Sequence, residues 1–212
     1  MLDVYIVGED AVTIRILHRI ITFCANIKHV SVNILAEFPV RGGKIKEAIE
    51  KYNNLSLTSP VILLTDLDNI SCAPMLLANL LNGIAKNQQF LINIAVDEAE
   101  AWLMADRLGF SKYFCVDINA IPLPFQTKQG GRNYCTEMNF SCKSSFDFTH
   151  RILQTCTNEA IKSQLQPKNG AAKGTEYNSI VTPFISEKWN IDVARKNSNS
   201  LDRMIRRIIS LI

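Results

Sequence analysis

Short apolar runs alternate with amphipathic segments along the first hundred residues, and this rhythm restricts the fold more than any other feature. Four short apolar runs have the length of strands, and the segments between them repeat apolar residues at helical spacing. Strands separated by helices predict a parallel sheet covered on both faces. The predicted strands are Leu2–Val7, Ser31–Ala36, Val61–Thr65 and Phe90–Val96, and the predicted helices are Asp10–Ala25, Lys44–Tyr52, 73–86 and a segment from Glu98 to about Arg107.

The rhythm stops after residue 108. From Asp117 to Ser145 the chain is rich in Pro, Gly, Asn and Ser, so we expect irregular surface structure there. Beyond this segment, the patterns of 147–165, 176–189 and 199–211 predict helices. We therefore predict an α/β fold with a parallel sheet of about four strands. Its predicted parts are an α/β domain at 1–110, an irregular insert at 111–146 and a basic helical C-terminal extension at 147–212.

The net charge of +3 conceals an uneven distribution of charge. Residues 1–106 contain 8 Lys and Arg against 12 Asp and Glu, a net charge of −4, whereas residues 107–212 contain 15 against 8, a net charge of +7. Such asymmetry is typical of a metal site beside a polyanion-binding surface. Any single cation is more often a solvated surface residue. The candidate nucleic-acid-binding residues are Arg41 and Lys44 before the second helix, then Lys173, Arg203, Arg206 and Arg207.

The chain shows no sequence feature of a membrane protein. No run reaches the ~18 uncharged apolar residues that a membrane span needs. The N-terminus has the pattern of a buried strand rather than of a basic leader with a cleavage site. We therefore expect a cytoplasmic protein with no membrane partner.

Acidic residues are concentrated where the predicted strands end. Because the carboxyl ends of parallel strands lie at one edge of a sheet, these side chains are expected to converge. Crowded carboxylates raise one another's pKa unless a cation neutralises them, and carboxylates without His or Cys suit Mg²⁺ or Mn²⁺. Helix capping is the alternative, and we favour it for Asp10 and Asp97. The acids are Glu9, Asp10, Asp66, Asp68, Asp97, Glu98 and Glu100.

Two groups of these residues resemble a known family. Glu9 with Gly8 beside it, followed later by Asp66-x-Asp68, resembles the Toprim domain of topoisomerases, primases and OLD-type nucleases. The stretch from Asp97 to Asp106 is similar to a signature of a Toprim-like bacterial group of domains of unknown function, which are often encoded beside ABC-type ATPases in phage-defence loci. The resemblance covers about residues 1–110.

The resemblance implies a Toprim-like Rossmannoid fold and a Mg²⁺- or Mn²⁺-dependent nuclease. Glu9 would be a metal ligand or general base, and Asp66 and Asp68 would be metal ligands. Glu98 or Glu100 would bind a second ion, and Lys173 would be the late lysine near the scissile phosphate. Two ions would hold the attacking and leaving oxygens of an in-line phosphodiester displacement.

The resemblance also implies partners. They are a nucleic acid, either DNA or RNA, and an ABC-type or AAA ATPase that controls the chain as the effector of an anti-phage system. A homo-oligomer is left open. Two alternative functions are a catalytically inactive Toprim-like regulatory or sensor subunit that binds a partner ATPase, and a receiver-like domain that is phosphorylated on aspartate.

Overall fold

The computed structural model describes residues 1–40, 44–128, 134–168, 170–171 and 173–212. The chain divides into two compact units, Met1–Val96 together with Arg203–Ile212, and Asp97–Asp202. The division into 1–110, 111–146 and 147–212 stays a prediction.

A four-stranded parallel sheet forms the centre of the first unit. Its strands lie in the order β2-β1-β3-β4, and every neighbouring pair is parallel. The predicted α/β fold with a four-stranded parallel sheet is therefore confirmed. The strands are β1 (Leu2–Gly8), β2 (Val32–Pro39), β3 (Val61–Asp66) and β4 (Phe90–Ala95).

Helices α1 (Ala11–Lys28), α2 (Ile45–Leu55) and α3 (Ala73–Leu81) connect the strands. Both faces of the sheet are buried at β3, because its neighbouring residues Ile62 and Leu63 are both inaccessible to solvent. Leu63 packs in a cluster with Ile49 of α2 and Leu80 of α3. The third helix is shorter than predicted, because Asn82 adopts a left-handed conformation with φ of 43° and ends it.

The second unit is mainly helical and contains one strand pair. Phe110, Phe114, Phe148 and Phe184 form its aromatic core, with ring centroids 4.4–5.6 Å apart. The elements are α4 (Ala99–Met104), α5 (Arg107–Phe114), β5 (Pro124–Lys128), β6 (Tyr134–Met138), α6 (Ser144–His150), α7 (Glu159–Leu165), α8 (Tyr177–Pro183) and α9 (Ile191–Asn197). A π-helical turn, Phe184–Lys188, continues α8.

Three predictions for this unit need correction. The segment predicted to be irregular contains the antiparallel pair β5–β6. The predicted helix from Glu98 to Arg107 ends at Met104, because the Asp106 side chain accepts a hydrogen bond from Gly109 N at 3.1 Å and begins α5 instead. The predicted helix at 147–165 is likewise divided, by the 3₁₀ turn Ile152–Thr155.

The last helix, α10 (Asn199–Leu211), begins in the second unit and ends in the first. Met204, Ile205 and Ile208 are buried along one side of it. Cys24 of α1 contacts the Ile205 carbonyl oxygen, with Sγ at 3.8 Å. The basic end of the chain therefore packs beside α1 in the unit that contains the sheet. None of the described helices is both long enough and apolar enough to cross a membrane.

Candidate functional site

The order of the strands reverses at β1. The chain places β2 on one side of β1 and β3 on the other, so successive connections leave in opposite directions. In open α/β sheets, this arrangement opens a crevice at the carboxyl ends of the two central strands, where ligands bind. Glu9 directly follows β1, and Asp66 is the last residue of β3. Two predicted site residues therefore meet at the crevice.

The Glu9 carboxylate is held by β3. Its Oε1 accepts hydrogen bonds from Thr65 Oγ1 at 2.5 Å and from Asp66 N at 3.0 Å. Thr65 is buried, so its hydroxyl has little competition from solvent. Both of these hydrogen bonds end on Oε1. Among the described contacts, Oε2 accepts no hydrogen bond, so it is the carboxylate oxygen that a ligand could contact.

A cavity of about 300 Å³ lies at this crevice, and Glu9, Asp66 and Asp68 all line it. Lys46 from the first turn of α2 and Asn79 from α3 add further polar groups to its lining. The remaining lining residues are Ile45, Thr65, Leu67, Ile70, Leu76 and Leu80. Lys46 is not among the predicted site residues, although its position at the start of the helix after β2 places it at the same edge of the sheet.

Asp68 reaches the cavity by a route that differs from the predicted one. The Asp66-x-Asp68 spacing predicts that both side chains project to one side of an extended strand. Instead, β3 ends at Asp66 and Asp68 adopts a left-handed conformation with φ of 51°. Aspartate tolerates this conformation better than most residues. A turn therefore brings the second aspartate to the cavity.

Gly8 and Asp10 shape the connection from β1 to α1. Asp10 Oδ1 accepts hydrogen bonds from Thr13 N at 2.8 Å and Thr13 Oγ1 at 2.9 Å, so the capping role favoured for Asp10 is confirmed. A Cβ at position 8 would lie 3.0 Å from Thr13 Cγ2 and 3.2 Å from Ile14 N. Glycine at this position therefore lets the helix begin close against the strand that carries Glu9.

The acids that follow β4 belong to the second unit. Asp97 Oδ2 accepts a hydrogen bond from Ser144 N at 2.9 Å, and Glu98 Oε2 accepts one from Ser145 N at 2.8 Å. These contacts satisfy backbone donors at the start of α6. Burial is the largest cause that raises the pKa of Asp97 to about 6. The neighbouring Glu98 and Glu100 carboxylates also raise it, and the hydrogen bonds from Ser144 oppose the rise.

Glu100 and Lys173, which were predicted to bind a metal ion and a phosphate respectively, lie together in the second unit. Lys173 Nζ is 2.6 Å from Glu100 Oε1, and Tyr177 Oη donates to the same oxygen at 3.1 Å. Glu100 is 5% exposed, so the ammonium group neutralises a buried carboxylate. The predicted metal and phosphate roles of these residues stay predictions.

The donor chemistry of the cavity suits a hard divalent cation. Carboxylate oxygens are the ligands that Mg²⁺ and Mn²⁺ prefer. Within the described parts of the chain, no group of three or more His, Cys, Asp or Glu side chains could hold a metal ion. Mg²⁺ is commonly bound by one or two carboxylates while it keeps several waters and contacts substrate phosphates. One or two of the three carboxylates that line the cavity, those of Glu9, Asp66 and Asp68, would be enough for such a partial ligand set.

Comparisons with known proteins find one similar solved structure and no matching family model or curated protein. Among solved structures, the C-terminal region of the Burkholderia pseudomallei OLD protein is similar, with 12% identity and a TM-score of 0.40 over 98% of this chain and 95% of that one. A similarity this low assigns neither a fold nor a function.

The predicted nucleic-acid-binding residues occupy different places. Arg41 lies outside the described residues. Lys44 is exposed immediately before α2, and Lys173 contacts Glu100. Arg203, Arg206 and Arg207 line one groove along α10 in the first unit. The structure therefore brings together the three arginines near the C-terminus.

Proposed function

We propose that the chain is a divalent-metal-dependent nuclease that hydrolyses phosphodiester bonds at the cavity between β1 and β3. The observation that supports this proposal most is that Glu9, Asp66 and Asp68 line one cavity at the switch point of the sheet. The Glu9 carboxylate is also fixed in place by two hydrogen bonds from β3. A carboxylate with no role beyond its contact with solvent would not need two hydrogen bonds from a neighbouring strand to fix its position.

In this proposal, each polar residue of the cavity has a separate role in the reaction. Glu9 directs Oε2 toward the substrate, where it orients a water molecule or accepts its proton. Thr65 is a positioning residue, because its hydroxyl donates a hydrogen bond to Glu9 Oε1 from the adjacent strand β3. Lys46 supplies a positive charge at the same cavity and contacts a phosphoryl oxygen of the substrate.

One or two of the carboxylates of Glu9, Asp66 and Asp68 would hold the cation, and water would complete its ligand shell. A Mg²⁺ or Mn²⁺ ion bound there would polarise the phosphoryl oxygen and make an attacking water more acidic. Asp68 adds flexibility to the ligand set, because it lies beyond the end of the strand and is exposed.

We also propose that this nuclease works in the cytoplasm as the effector of an anti-phage system controlled by an ABC-type or AAA ATPase. Support for this wider setting comes from the resemblance of the stretch Asp97–Asp106 to Toprim-like domains of defence loci.

Glu9→Gln tests the proposed reaction. The amide oxygen can still accept from Asp66 N, so the variant should fold, but it can neither take a proton nor bind a cation as strongly. We expect cleavage of a mixture of single-stranded DNA, duplex DNA and RNA in Mn²⁺ to fall by about 10²–10⁴-fold. Asp66→Asn should behave similarly.

Asp10→Asn is the matched control, because Asp10 is adjacent in sequence but caps α1 and does not line the cavity. Asparagine is an equally good cap, so we expect this variant to cleave like the wild type. If Glu9→Gln and Asp66→Asn both cleave as fast as the wild type, the nuclease proposal is wrong. Stable binding of a partner ATPase by an inactive chain would then favour the regulatory-subunit alternative.

A further inference from the structure

A groove of about 360 Å³ runs along the end of α10, in the same unit as the carboxylate cavity. Three guanidinium groups line it, together with the Gln88 amide and the Ser210 hydroxyl. Leu91 and Leu211 provide its apolar surface. The groove therefore combines a dense positive charge with neutral hydrogen-bonding groups and small apolar patches.

The groove lies away from the proposed reaction site. Leu91 is paired with Ile62, whereas Asp66 is paired with Ala95 four residues further along. At about 3.3 Å per residue, Leu91 lies about 13 Å from the level of Asp66 along the strand direction. The groove and the cavity share no lining residue among those that the structure describes, so they are separate surfaces.

Arg207 forms the fixed wall of the groove. Its Nη1 donates to the Ile92 carbonyl oxygen at 2.6 Å and to Asn93 Oδ1 at 3.1 Å. Burial lowers the pKa of Arg207, and the nearby Arg203 cation lowers it further. Arg203 and Arg206 also line the groove and are exposed to solvent.

The cations of this region crowd one another. Burial lowers the pKa of Lys86, and the charge of Arg207 adds to this effect. Like charges held together in a groove are unfavourable until an anion joins them. Guanidinium groups match phosphate oxygens in a bidentate geometry, and hydroxyl and amide groups commonly add phosphate and sugar contacts.

We propose that this arginine groove binds the phosphate backbone of a nucleic-acid strand and anchors the substrate away from the cavity. Arg203 and Arg206 contact the phosphates, and Arg207 is a positioning residue that keeps the groove in shape. The identification of the polyanion as a nucleic acid rests on the proposed nuclease function. A membrane surface fits poorly, because α10 buries Met204, Ile205 and Ile208 and has no apolar face of that kind to insert.

Binding without cleavage tests this proposal separately from the nuclease function. The probe is a fluorescein-labelled 24-nucleotide single-stranded DNA of mixed sequence, measured by anisotropy in EDTA across a series of salt concentrations. For Arg203→Ala/Arg206→Ala, we expect affinity at low salt to fall at least tenfold. The slope of log affinity against log salt should also become shallower by about 1.4, since each phosphate contact on a single strand contributes about 0.7.

Three further arms complete the experiment. Lys28→Ala/Lys112→Ala removes the same charge from exposed positions outside the groove and should bind like the wild type. The single variant Arg203→Gln should weaken binding in the same direction even if the double variant fails to fold. Inorganic pyrophosphate at an equal phosphate concentration should not displace the probe.

The proposal is overturned if both arginine variants bind the probe like the wild type, or if the control double variant loses as much affinity. It is also overturned if pyrophosphate displaces the probe, because the groove would then be a site for a small anion. These outcomes do not depend on hydrolysis, so Glu9→Gln can be inactive and still bind the probe fully. Loss of groove binding and loss of the nuclease function are therefore distinguishable.

Discussion

Glu9 could be predicted as a functional residue from the sequence, but the residues that hold its carboxylate in place could not. The sequence places it after a buried strand, which is enough to suggest the edge of a parallel sheet. Its hydrogen-bond partners, Thr65 and Asp66, are more than fifty residues away and become neighbours only because β3 pairs with β1. Strand order is a property of the whole sheet, so the local pattern could not identify Thr65 as a positioning residue.

Lys173 offers a direct test between a structural role and the predicted phosphate contact. Lys173→Met leaves the buried Glu100 carboxylate without its ammonium partner. We expect urea denaturation to show a loss of about 1–3 kcal/mol in the free energy of unfolding. This is less than fully buried pairs lose, because the Lys173 side chain is 31% exposed.

Lys173→Met/Glu100→Gln should recover part of this stability, because the variant no longer buries a charge. The double-mutant cycle then measures the coupling of the pair. Unchanged stability of Lys173→Met, accompanied by loss of cleavage, would support the predicted phosphate role and contradict the structural one.

Asp97 should make the stability of the protein depend on pH. Its pKa is about 6 in the folded chain, above the value of about 3.9 for an unperturbed aspartate. The contribution of protonated Asp97 to the free energy of unfolding is therefore fully present below about pH 4. It is lost as the pH rises through 6. Asp97→Asn remains neutral, and asparagine also tolerates the φ of 69° found at this position.

For Asp97→Asn, we expect a free energy of unfolding at pH 8 about 1–3 kcal/mol above that of the wild type, and near-equal values at pH 4. Urea titrations in EDTA at both pH values measure the difference. Parallel pH profiles of the two proteins would show that Asp97 does not titrate as stated.

At the scale of elements, long buried strands were predictable and the hairpin was not. Strands β3 and β4 are apolar because both of their faces are covered, and such runs stand out in a sequence. Strands β5 and β6 have five residues each, in a segment rich in Pro and Gly. Contacts distant in sequence support β6, because Glu137 accepts hydrogen bonds from Ser198 Oγ at 2.7 Å and Ser200 N at 2.6 Å.

Glu137 should therefore stabilise both the hairpin and the start of α10. Glu137→Ala removes the acceptor of the Ser200 backbone donor, and we expect a loss of about 1–3 kcal/mol in the free energy of unfolding. Glu137→Gln keeps an amide oxygen there and should lose less. Thermal unfolding of the three proteins measures this order. Equal midpoints for Glu137→Ala and the wild type would show that the hydrogen bonds contribute nothing.

At the scale of the whole molecule, the charge asymmetry in the sequence has a different meaning in the structure. The sequence separates an acidic half from a basic half, but the chain returns Arg203–Ile212 to the unit that contains Glu9, Asp66 and Asp68. Conversely, Glu98 and Glu100 follow the last strand of the sheet and belong to the second unit. Charge counts along the sequence could not predict which unit each charged segment belongs to, because the assignment of the C-terminal arginines depends on where α10 packs.

The central claim is that the carboxylates at the switch point bind a divalent cation. Crystals soaked in Mn²⁺, with diffraction data collected at the manganese absorption edge, test it most directly. We expect an anomalous difference peak in the cavity beside Glu9, Asp66 and Asp68, and no such peak in crystals of Glu9→Gln/Asp66→Asn. An empty cavity in the wild type, or a peak only beside Glu98 and Glu100, would contradict the account.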